Sequence, residues 1–150
     1  MRKRDTFTID MFKGFEPSPV VARYAEEQVR AATMAARMAR AVTATLKAAG
    51  DRAKVAGDMS KYLGERVTEN MLNQYASQAN AQHTIPAHRL IALAIVTGDA
   101  RLINALLTDT GLIAVEAKYE QLIDREVLRE EADRIQRKIA EKDAKWRAQR

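Results

Sequence analysis

Met59-Ser60-Lys61-Tyr62-Leu63-Gly64-Glu65-Arg66-Val67-Thr68-Glu69-Asn70-Met71-Leu72-Asn73-Gln74-Tyr75 spells out two helices and the corner between them. Asp51 is suited to cap a helix over 52–63, whose apolar positions are Val55, Ala56, Met59, Tyr62 and Leu63. Gly64 stops that helix, because glycine takes the left-handed conformation without a Cβ penalty. Val67 is the single apolar residue available to plug the corner. Thr68 then predicts the N-cap of a second helix over 69–79, which buries Met71, Leu72 and Tyr75 at helical spacing.

Working outward, every flanking segment also reads as helix or as the break between helices. Upstream, Ser18-Pro19 has the form of an N-cap with proline at the first helical position. It predicts one long Ala/Arg-rich helix from Pro19 to Ala49, stopped by Gly50. Arg23, Arg30 and Arg37 recur at seven-residue spacing along it, a stripe that reads first as a solvated face and second as a contact for phosphates. Downstream, 80–85 is a polar loop. Pro86 opens an apolar helix to Thr97, and Gly98-Asp99 separates it from a short helix ending near Leu107. Residues 108–111 break the pattern again. From Leu112 to the end there is no Gly or Pro, which predicts a long charged helix. Within it Leu128, Ala132, Ile135, Ile139, Lys142 and Trp146 alternate by four and three, the signature of a short heptad seam suited to self-association or a partner helix.

The expected fold class is therefore all-α. A helix-turn-helix core is preceded by a long helix and followed by a long charged one. The expected organisation is an irregular arm over 1–17 carrying Phe7, Phe12 and Phe15, a helical domain over 18–111 and a C-terminal helix over 112–150.

Composition narrows the function classes. The chain lacks cysteine, which excludes disulfides and thiolate zinc sites and fits a reducing cytoplasm. No apolar run approaches a membrane span. The net charge is +5, unevenly spread: 1–50 carries nine basic and five acidic residues, 51–111 six of each, and 134–150 seven basic and two acidic. Basic ends suit a polyanion, since phosphate contacts supply most sequence-independent affinity. For the C-terminal cluster an acidic protein partner is the alternative.

Catalysis has little to draw on. His83 and His88 are the only histidines, five apart, and no carboxylate cluster or glycine-rich phosphate loop accompanies them. Ser60 and Ser77 lack the setting of a nucleophile. The methionines at helical spacing, Met34, Met38, Met59 and Met71, read as core. The expectation is a protein that is not an enzyme and uses no metal or cofactor.

The outer face of the 69–79 helix is where function concentrates. Asn70, Asn73, Gln74, Ser77 and Gln78 are amide or hydroxyl side chains, whereas a merely solvated face favours Lys and Glu. Asn and Gln can pair with the N6 and N7 edge of adenine in the major groove. Lys61 and Arg66 flank the corner and could hold phosphates, and Thr68 fixes the helix start. Asp58, Glu65 and Glu69 lie close by and oppose phosphate. The candidate DNA-binding set is thus Lys61, Arg66, Thr68, Asn70, Asn73, Gln74, Ser77 and Gln78.

These segments also resemble a known group. Met59-Ser60-Lys61-Tyr62-Leu63-Gly64, Val67-Thr68-Glu69-Asn70-Met71-Leu72-Asn73, Ile85-Pro86-Ala87-His88-Arg89-Leu90 and Ala94-Ile95-Val96-Thr97-Gly98-Asp99-Ala100-Arg101-Leu102 look like phage early regulatory proteins. The likeness is to the CII-type regulators of temperate phages and the small DNA-binding proteins of Mu-like prophages. The resemblance spans 50–107 and implies a helix-turn-helix whose second helix lies in the major groove of double-stranded DNA. It implies a phage or prophage transcriptional regulator acting as a homo-oligomer. The alternative is a phage DNA-packaging protein of the small-terminase type, which forms a ring. A helical adaptor that never touches DNA is the third possibility.

Overall fold

The computed structural model describes residues 19–79 and 83–149. All regular structure among them is helical, in the order α1 (Glu26–Val29), α2 (Met34–Ala49), α3 (Arg52–Leu63), α4 (Glu69–Ala76), α5 (Ala87–Thr97), α6 (Arg101–Leu107), a 3₁₀ turn (Ala117–Tyr119) and α7 (Glu120–Ala148). The expected arm over 1–17 and the cap at Ser18 lie outside the described residues.

The core is built where α2, α3, α4, α5 and α6 meet. Val42, Leu46, Met59, Leu72, Leu93 and Leu102 are fully buried in it. Helix starts and stops follow the local chemistry. Asp51 Oδ1 accepts from Lys54 N at 2.9 Å, and Gly64 and Gly98 close α3 and α5 with φ of 67° and 66°. Met38 and Met59 are core residues as expected, Met71 is half-buried and Met34 is exposed.

The expected single helix over 19–49 is two. Thr33 is extended, and its hydroxyl accepts from Ala36 N, so α2 has its own N-cap. The physical reason is tertiary. Unbroken, the helix would hold Tyr24 roughly 30 Å from Thr45. Broken, it folds back, the Tyr24 hydroxyl meets Thr45 Oγ1, and Arg40 Nη1 donates to the Arg30 carbonyl at 2.6 Å across the bend. The arginine stripe is dissolved by the same break, and Arg37 pairs instead with Asp109.

The C-terminal helix likewise starts later than Leu112. Asn104, one of two buried polar residues among those described, keeps 112–116 out of the helix: its Nδ2 donates to the carbonyls of Ala22 and Ala114, each at 3.0 Å, and its Oδ1 accepts from Ala114 N at 2.8 Å. Those bonds use up the backbone groups a helix would need. The chain turns once through the 3₁₀ segment and then runs as α7, in which every described side chain is exposed.

Tyr24 sits at the junction of α2 and α6. Its hydroxyl, in contact with Thr45 Oγ1, donates to Asp99 Oδ2 at 3.1 Å, and the Arg101 guanidinium lies 4.7 Å over its ring while pairing with Asp99 at 2.8 Å. Burial raises Asp99, but hydrogen bonds from Arg101 and Tyr24 outweigh it and leave that carboxyl below its usual range. Burial pushes the Tyr24 phenol up to about 12. The folded state therefore keeps a proton that the unfolded chain releases near pH 10. This contribution is complete below pH 10 and is lost as pH rises through about 12. Thermal melts should show the wild type losing its advantage over Tyr24→Phe across that window. Parallel curves would show that the phenol does not titrate as buried.

Candidate nucleic-acid interface

α3 and α4 meet at a sealed corner. Val67, buried as expected, plugs it, and Ser60 ties it: the serine hydroxyl accepts from Val67 N at 2.9 Å and has the carbonyls of Ala56 and Val67 within donating reach, at 2.8 and 3.0 Å. Thr68 Oγ1 accepts from Met71 N at 3.3 Å and so caps α4. Leu72 anchors the inner side of α4, and Met71 and Tyr75 are half-buried beside it.

α5 clamps this unit from behind. Arg89 Nε donates to Glu65 Oε1 at 2.8 Å, and its Nη1 donates to the Tyr75 hydroxyl, so one guanidinium joins the corner to α4. His88 Nε2 lies 3.3 Å from the same carboxylate oxygen. The hydrogen bond from Arg89 holds Glu65 below the usual carboxylate range and raises Arg89. Asp58 is met by Lys61 at 3.5 Å. Two of the three carboxylates that would oppose phosphate are thus partnered. Glu69 stays exposed in the first turn of α4, where the helix dipole favours it.

The candidate residues separate into groups. Lys61, Arg66, Asn70 and Asn73 are exposed around the corner and along α4, with Thr68 half-buried at its start. Gln74 is half-buried. Ser77 and Gln78 are not on the helix, which ends at Ala76 rather than 79. The reason is that α2 reaches over the last turn: Thr43 Oγ1 lies 3.0 Å from the Ala76 carbonyl, in donating position, and Arg40 Nε donates to Gln78 Oε1 at 3.1 Å.

Two arginines escaped the sequence reading. Arg52, at the start of α3, donates to Asn73 Oδ1 on α4, and Arg40 holds Gln78 just beyond it. One guanidinium thus reaches the exposed Asn73 of α4, a second lies just past the end of the helix, and Arg66 stands at the corner. Among the described residues Arg66 has no ion-pair partner. Nothing in the spacing within 59–79 could reveal Arg40 and Arg52, because they arrive through the packing of α2 and α3.

Among the described residues no cluster of histidine and carboxylate side chains could hold a metal ion, and no helix is long and apolar enough to cross a membrane. No protein-family model, curated protein or solved structure matches this chain.

Proposed function

We propose that the chain binds double-stranded DNA through α4, acting as a helix-turn-helix protein that reads sequence. One observation carries this: the exposed amides of Asn70 and Asn73 lie on a helix bordered by Arg40, Arg52 and Arg66, with the nearby Asp58 and Glu65 already paired. Amides supply base-edge recognition and arginines supply phosphate contacts, the two components of a specific duplex interface. Such a surface has no need of a metal, a cofactor or a catalytic group. The role of a phage or prophage transcriptional regulator follows from the resemblance of 50–107 to those proteins, and is proposed on that ground.

A duplex selected from a random library provides the test. Asn70→Ala and Asn73→Ala should each weaken binding to the selected sequence by about 1–3 kcal/mol while leaving a random duplex unaffected. Fluorescence anisotropy at fixed salt measures both. Full retention of specific affinity in both variants would remove α4 from the role of reader.

A further inference from the structure

α7 runs from Glu120 to Ala148 with every residue exposed, at about 1.5 Å per residue some 43 Å long. Most helical stability in proteins comes from packing an apolar face, and α7 packs none of its apolar residues within the described chain. Its apolar residues form two separate patches. Leu122, Ile123 and Val127 lie toward one side, while Leu128, Ile135, Ile139 and Trp146 lie toward the other, each of these four more than half exposed. The second patch keeps heptad spacing, with Ala132 and Lys142 completing it.

Lys142 discriminates among the possible pairings. In a parallel, in-register pair each seam residue faces its own twin, so Lys142 meets Lys142 inside the seam, and one heptad before Ala132 Arg125 meets Arg125. Desolvating such like charges is unfavourable. Reversing one helix about a point near Arg137 removes both conflicts. Leu128 then faces Trp146 of the second copy, Ile135 faces Ile139, and Lys142 faces Ala132, whose small side chain lets the lysine stem reach out to solvent. The flanks agree: Arg129 lies beside Asp143, Glu131 beside Lys145 and Gln136 beside its twin, leaving Lys138 against Lys138 as the one like-charge contact.

We infer that α7 is an antiparallel self-pairing helix and that its occupant is α7 of a second copy of this chain. The pairing is two-fold and closed, so it yields a dimer rather than an open or ring-forming contact. It also sets the two α3–α4 units at opposite ends of the paired helices, with the α7 starts on the order of 50 Å apart along the axis. None of this depends on DNA binding, and pairing is measured with no DNA present.

The absence of native cysteine makes the test direct. Single variants Gln136→Cys and Ala132→Cys of the full chain are treated with a short bismaleimide at low protein concentration and run on a denaturing gel. Antiparallel pairing brings the two 136 positions together and separates the two 132 positions by roughly 15 Å along the axis. The expected result is a crosslinked dimer for Gln136→Cys, none for Ala132→Cys and none for Arg137→Cys, which points away from the seam. Crosslinking at 132 instead of 136 would establish parallel pairing and overturn the proposal. Crosslinking at neither, or at all three alike, would equally overturn it.

Discussion

Simultaneous replacement of Arg40, Arg52 and Arg66 by alanine is expected to weaken DNA binding about 500-fold at 0.1 M salt. Each phosphate contact contributes a slope of about −0.9 in log affinity against log salt, so three lost contacts flatten the slope by about 2.7. Extrapolated to 1 M salt, the affinities of variant and wild type converge, because the contacts removed are electrostatic. Arg40 also braces the bend before α2, through the Arg30 carbonyl, so a thermal melt accompanies the titration. A folded triple variant with an unchanged salt slope would show that DNA does not lie along this side of α4. The single-asparagine variants should behave oppositely, losing sequence preference while keeping the slope.

Leu72→Ala should have the largest effect on the fold. Leu72 is fully buried where α4 meets α2 and α3, and its truncation leaves a cavity that those short helices cannot close by moving together. The expected cost is about 3 kcal/mol, a large part of a small domain's stability, with a melting temperature lowered by roughly 15 °C. DNA binding should fall with it, because α4 has only eight residues and no other fully buried anchor. Pairing through α7 should survive, since no residue of α7 is packed in that core. Combining Leu72→Ala with Gln136→Cys reads both at once. A melting temperature within a few degrees of wild type would mean that α4 is held from elsewhere.

Much of the architecture was legible because it is written in local chemistry. The caps at Asp51 and Thr68, the left-handed glycines at 64 and 98, and the apolar spacing of 52–63 and 87–97 are decisions taken within a few residues. The plug at Val67 was legible too, being the only apolar residue in a polar corner. Asn70 and Asn73 could be placed outward once Leu72 was placed inward.

What misled the sequence reading was always a distant partner. Nothing within 19–49 forbids one continuous helix. It is broken because burying Tyr24 on Thr45 and bonding the Ala22 carbonyl to Asn104 requires the chain to fold back. Nothing within 69–79 ends a helix at Ala76 either, but Arg40 and Thr43 of α2 occupy the next turn.

By itself, then, the sequence determined that the described residues are helical, where the α3–α4 corner falls, which side of α4 carries amides, and that apolar residues of the last helix recur at heptad spacing. These depend on φ preferences, caps and periodicity, which act over a turn or two. Only the tertiary structure decided that Asn104 delays α7 to Glu120, that Arg89 joins the corner to α4, and that Arg52 reaches Asn73 and Arg40 reaches Gln78. Each of those contacts joins residues at least ten positions apart in the chain. Such pairs meet only after the core has closed, so no local pattern can announce them.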